Sequence, residues 1–276
     1  MLVPLSTDAP VYHFPWATIA LIFANVVCFV LTGMGAFENI EIWQNWALQF
    51  GEGLKPHQWL SMNFLHFGFM HLIANMIFLW CFGLVVEGKL GWWRFLLAYL
   101  GIGVLGGCLI QVVMLGYEGL SPGAGGASLV VYGLMAMSLV WAPKNEVSCL
   151  LVLWIRVFII EITILKMGVF YIGIDVIFGL IKGFTVGGEL GHVIGPILGF
   201  ALGTFMLRQD WVDCENWDLF AVLKGTYGDT DRFSRSDVKT TATSKQRSGL
   251  SKKKKKKVRT KQSKDISINT VRYDDE

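Results

Sequence analysis

The chain has 276 residues, of which 53% are hydrophobic and only 16% charged, and its formal net charge is +3. A soluble domain carries about 25% charged residues, so an ordinary water-soluble enzyme is excluded. The apolar residues fall in blocks at 16–34, 67–86, 93–115, 127–142, 167–181 and 190–207. The longer ones approach the ~20 residues that cross a hydrocarbon core. They lack the two-residue alternation of barrel strands, so the composition predicts a helical membrane protein with six spans.

In chain order, residues 1–11 form a short N-terminal segment without the basic stretch of a secretory signal. The apolar run Ala17–Gly33 has no small-residue cleavage site and reads as a retained first span. The loop 35–65 carries Trp43, Trp46, Phe50 and Trp59, a composition suited to the lipid–water boundary. Span two opens with His66, His71 and Asn75; the last two are four residues apart and share one helix face. After span three comes a glycine-rich loop containing Gly119, Gly123, Gly125 and Gly126, and then a short fourth span carrying Ser128 and Tyr132. Irregular backbone is not tolerated against lipid, so that loop must be buried or line a water-filled cavity, which places Ser128 near the cavity floor.

The stretch 147–166 is apolar but broken by Arg156 and Glu161, and reads as an interfacial segment, with a seventh span as the alternative. Span five carries Asp175, for which the sequence offers no evident partner and which is left out of the expected site. In span six Gly191, Gly195, Gly199 and Gly203 recur every fourth residue, a small-residue stripe that permits close backbone approach, with His192 beside it. The membrane unit thus covers 12–207. Residues 208–227, with Trp211, Cys214, Trp217 and Phe220 among acids, suit a short cytoplasmic docking segment. Residues 228–276 have the composition of a disordered basic tail; its run Lys252–Lys257 suits either anionic lipid headgroups or plain solvation, and no nucleic acid is expected. Lysine and arginine concentrate in the loops 87–94 and 143–166, which predicts cytoplasmic N- and C-termini. The five cysteines lack metal-ligand spacing and read as packing residues.

Ionisable groups inside spans usually face a cavity or one another. A lone serine in a span is most simply a helix-internal hydrogen bonder. With a histidine at hydrogen-bond reach it becomes a nucleophile, and neighbouring donors can hold the oxyanion. Ser128 as nucleophile, His192 as base, and His71, Asn75 and the Ser128 backbone N–H as donors form such a set. Metal binding by His66, His71 and His192 is the rival use and is disfavoured, because no cysteine or carboxylate accompanies them.

These residues resemble the rhomboid family of intramembrane serine proteases over about 55–207. His66, His71 and Asn75 resemble its H-x4-H-x3-N signature. Gly126-Ala127-Ser128 with Tyr132 resembles its G-x-S-G nucleophile motif and following aromatic. Gly191-His192 with Gly195 and Gly199 resembles its A-H-x2-G-x3-G motif. The resemblance implies a six-helix bundle with cytoplasmic termini, a Ser128–His192 dyad, an oxyanion hole drawing on His71 and Asn75, and Tyr132 packed on the His192 ring. It implies single-span membrane proteins as substrates within the lipid bilayer, and no cofactor or metal. Without a recognisable transit peptide, a bacterial plasma membrane is expected. Two positions depart from the pattern: Leu129 stands where the family has glycine after the nucleophile, and Trp59-Leu60 where it has Trp-Arg. A catalytically inactive rhomboid-like protein that binds transmembrane segments is the alternative reading. A transporter or channel would also accommodate the polar span residues.

Overall fold

A computed structural model describes residues 2–35, 39–119, 123–153, 156–182 and 187–228. Its helices are α1 (Trp16–Leu31), α2 (Ile40–Trp46), α3 (Pro56–Ser61), α4 (Phe69–Leu90), α5 (Trp92–Val113), α6 (Ser128–Trp141), α7 (Ile164–Lys182), α8 (Gly187–Arg208) and α9 (Leu219–Lys224). The strands are β1 (Leu2–Thr7), β2 (Leu48–Gln49), β3 (Gly123–Ala124), β4 (Glu146–Leu153) and β5 (Arg156–Thr163). A helix therefore occupies each of the six apolar blocks. Among the described residues four of them, α4, α5, α7 and α8, are long and apolar enough to cross a membrane, while α1 and α6 are shorter.

Helix α6 is the centre of the packing. Every residue from Leu129 to Trp141 is buried except Tyr132, and Ser128 and Tyr132 are only partly covered. A helix that is apolar all round must be enclosed on all sides. Its tightest neighbour is α8, through the glycine stripe. A Cβ on Gly195 would stand 2.1 Å from the Leu129 carbonyl oxygen, and one on Gly199 would stand 2.0 Å from that of Gly133. The two backbones are in contact, a separation that only hydrogen side chains allow. Lower down, the Trp141 indole N–H donates to the Gly203 carbonyl at 2.9 Å. Pro196 also lies within α8; it has no N–H to give to the His192 carbonyl one turn before it.

The fold is not all-α, as the composition led one to expect. The apolar stretch 147–166 does not form a seventh span. Most of it is a hairpin, with Glu146 opposite Thr163 and Leu153 opposite Arg156. The N-terminal segment joins it as an antiparallel strand, β1 on β4, giving the order β1-β4-β5. Val147, Val157, Ile159, Ile160, Ile162 and Thr163 are β-branched, and such residues suit a pleated, half-buried surface. The buried Cys149 Sγ lies 3.7 Å from the Met167 Sδ of α7, so the sheet is packed on the helices.

Three polar arrangements hold helix ends and loops. The carboxylate of fully buried Glu87 on α4 accepts from the N–H groups of Ala17 (2.8 Å) and Thr18 (2.7 Å) and from the Thr18 hydroxyl (2.7 Å). An anion on the first N–H groups of a helix satisfies donors that have no intrahelical partner. Buried Gln111 of α5 accepts from Lys55 N–H (2.8 Å) and the Trp59 indole (2.7 Å), and donates to the Gln49 carbonyl (3.1 Å). It thus braces the loop that carries Trp59-Leu60. Strands β2 and β3 pair Leu48 with Ala124 and Gln49 with Gly123, tying that loop to the glycine-rich one. Gly91, at φ 74°, makes the one-residue turn between α4 and α5.

In the segment after α8, Cys214 and Leu219 are buried, and the Lys144 ammonium lies 4.1 Å from the Tyr227 ring centroid. Asp218 caps α9, accepting from the N–H groups of Phe220 and Ala221. Residues 229–276, including Lys252–Lys257, lie outside the described residues.

Gly199→Val is expected to overpack the α6–α8 contact at a cost of about 1–3 kcal/mol, seen as a lower Tm in detergent micelles. Gln111→Leu strands the Trp59 and Lys55 donors and should cost about 1–3 kcal/mol, read from the same unfolding curve.

Candidate active site

The first turn of α6 begins where two loops are pinned together. Gly126 N–H donates to the Met62 carbonyl at 2.8 Å, and Ala127 N–H points at His66 Nε2 at 3.5 Å. Burial pushes the His66 pKa down to about 3, with neighbouring His71 adding to the shift, so its imidazole is neutral and can accept. His66 precedes α4 rather than lying on it, and its ring centroid is 5.2 Å from that of His71. The histidine signature thus splits into one residue that holds the backbone before Ser128 and one that stands beside the cavity.

Gly126 has φ +123°, a conformation that favours glycine. A Cβ there would stand 2.7 Å from His71 Cε1, 2.9 Å from His71 Nε2 and 3.7 Å from Asn75 Nδ2. The backbone just before Ser128 therefore lies directly against His71 and Asn75. The Asn75 amide donates to the His71 carbonyl at 3.0 Å, which fixes its rotamer, and Phe67 N–H approaches His71 Nδ1 at 3.5 Å.

Ser128 and His192 line one cavity of about 190 Å³, together with His71, Ala74, Asn75 and Phe78 of α4, Val131 and Tyr132 of α6, and Tyr171 of α7. All four expected catalytic and oxyanion residues thus meet in one space at the start of α6. The His192 ring lies flat on Tyr132, with centroids 4.2 Å apart and planes 6° from parallel. Gly195 and Gly199 bring α8 close enough for that contact. A larger cavity of about 490 Å³ opens between α5 and α8, but its lining from Trp93 to Trp211 is almost wholly apolar and holds no nucleophile.

Asp175, which the sequence reading left out, is part of this cluster. Its Oδ2 lies 3.1 Å from His192 Nδ1, and the same oxygen accepts from the Tyr132 hydroxyl. The spacing along α7 gave no hint of this, because the contact depends on how α7 and α8 pack. Leu129 occupies a different place from the one its position in the motif suggested. It is fully buried, does not line the cavity, and packs over Gly106 of α5, where a Cβ would stand 2.7 Å from its methyl carbons. The bulk absent at Gly106 is the room that Leu129 fills.

A rhomboid domain model matches residues 54–209. The chain is 28% identical over 162 residues to rhomboid-type serine protease 2 of Emericella nidulans, covering 56% of this chain and 28% of that protein. It is 29% identical over 160 residues to the mitochondrial rhomboid-like protein 6 of Arabidopsis thaliana, covering 57% of this chain and 46% of that one. It is also 29% identical over 122 residues to the rhomboid protease GlpG of Klebsiella pneumoniae, covering 44% and 41%. The chain thus spans less than half the length of these relatives. The domain match takes in the glycine-rich loop, the α6–α8 contact and every residue of the cavity, and the chain belongs to the rhomboid family of integral membrane proteins.

Proposed function

We propose that the chain is an intramembrane serine endopeptidase that cleaves single-span membrane proteins in or near their transmembrane segments. The observation that carries this reading is the convergence of Ser128, His192, His71 and Asn75 on one cavity. In this reading the Ser128 hydroxyl attacks the scissile carbonyl carbon while His192 takes its proton. The carbonyl π pair becomes the oxyanion, held by His71, Asn75 and the Ser128 backbone N–H. The His192 proton then passes to the leaving amine as the C–N bond breaks, and water hydrolyses the acyl-enzyme by the same steps. Gly126 serves by leaving no side chain between the nucleophile's backbone and the two donors. Tyr132 holds the imidazole plane, and His66 the backbone before Ser128. No cofactor or metal is needed for this chemistry.

We further infer six spans, with α1 and α6 as the short ones, both termini cytoplasmic and the membrane unit covering 12–207. The loop-charge bias supports the orientation. Lys252–Lys257 would contact anionic headgroups on that side. The bacterial plasma membrane expected from the N-terminus draws no support from relatives that include a plant protein named mitochondrial. The alternative of an inactive binder rested on Leu129; the packing of that side chain against Gly106, outside the residues that line the cavity, supports the active reading.

Reconstituted with a single-span substrate whose helix is weakened by glycine or proline, the wild type is expected to cleave and to label with a fluorophosphonate. Ser128→Ala should abolish both, and His192→Ala should lower both at least 10³-fold, in line with losses in serine-histidine enzymes generally. Cleavage unchanged by Ser128→Ala would reject the assignment. Gly126→Ala, whose Cβ would press on His71, should lose roughly 10²-fold or more in kcat, the scale of removing one oxyanion donor, measured on the same substrate together with its Tm.

A further inference from the structure

We infer that Asp175 is a positioning residue that turns the Ser128–His192 pair into a three-membered relay, an inference that rests on the function proposed above. The imidazole is fixed on two sides. Tyr132 covers its face at 4.2 Å, and the Asp175 carboxylate meets its Nδ1 edge at 3.1 Å. With a carboxylate at Nδ1, the neutral ring carries its proton on Nδ1 and donates it to Oδ2. The lone pair is then on Nε2, the nitrogen left for the Ser128 hydroxyl. A ring free to flip or change tautomer would present N–H to the serine in part of the population, and that form cannot act as a base.

The Tyr132 hydroxyl donates to the same oxygen, so the carboxylate is itself oriented by the residue that stacks on the ring. Asp175, Tyr132 and His192 come from α7, α6 and α8, and the three contacts close a triangle. The other titratable groups facing the cavity are His71 of α4 and Tyr171 of α7. A carboxylate in the middle of an apolar helix is costly, and here it is spent on the one ring nitrogen that the proton transfer does not use. During attack the Ser128 proton moves to Nε2 while the new Oγ–C bond forms. Asp175 stays ionised throughout and stabilises the imidazolium.

A merely structural tie between α7 and α8 would make the same contact, so the test must separate the two. The full-length protein is reconstituted in liposomes with the helix-weakened substrate, and kcat, KM, fluorophosphonate labelling rate and Tm are measured for wild type, Asp175→Asn, Asp175→Glu and His192→Ala, and for Asp175→Asn combined with His192→Ala. Asp175→Asn keeps the size but not the charge. It is expected to lower kcat and labelling by 10²-fold or more with KM within threefold and Tm little changed. Asp175→Glu should recover at least a tenth of the wild-type kcat. Once His192 is alanine, Asp175→Asn should have no further effect. A kcat for Asp175→Asn within threefold of wild type overturns the inference, as does a loss that tracks a lower Tm or that Asp175→Glu fails to recover. If Ser128→Ala also leaves cleavage intact, or wild type neither cleaves nor labels, the proposed function fails and the relay with it. If Ser128→Ala is inactive and Asp175→Asn is not, only the relay fails.

Discussion

The architecture depends on backbone-to-backbone contact between α6 and α8. Gly195 against the Leu129 carbonyl and Gly199 against that of Gly133 leave no room for even a methyl group. Lipid tails are as apolar as leucine side chains, so helices in a bilayer associate through close packing and polar contacts rather than by exclusion from water. The stripe supplies that packing and also sets a distance. It brings the side chains flanking it, His192 on one helix and Ser128 and Tyr132 on the other, into a common space. The geometry of the candidate site and the association of the helices are here the same set of contacts.

Polar groups are then used sparingly and mostly in closed sets. Glu87 satisfies the first turn of α1, Gln111 gathers the loop before α3, and Asp175 binds both His192 and Tyr132. An unsatisfied polar group costs more in this setting than a satisfied one contributes. Each set also joins elements far apart in sequence, so it specifies which helices are neighbours as well as stabilising them.

Much of this was legible in the chain. The apolar blocks gave the helices, the four-residue glycine period gave the close approach of α8 to a neighbour, and His71, Asn75, Ser128 and His192 could be gathered by their motifs. What could not be read were consequences of packing. Asp175 has no partner at helical spacing, because its partners sit on two other helices. Leu129 looked like a defect because its compensation, Gly106, lies on α5. The hairpin β4–β5 was hidden because a short apolar run with two charges does not by its pattern tell helix from strand, and its pairing with residues 2–7 is too distant to show as a pattern.

Pro196 gives α8 one more property. Because it has no N–H, the ladder of α8 lacks the rung that would close on the His192 carbonyl, and a helix bends most cheaply where a rung is missing. Below this point the helix is clamped by Gly199 against Gly133 and by the Trp141 bond to Gly203. The missing rung thus falls in the turn that carries the imidazole, while the helix beyond it is held to α6. In the proposed reaction the base would lean first towards a serine hydroxyl and then towards a departing amine, and a missing rung at this turn would let it do so without loosening the bundle beneath it.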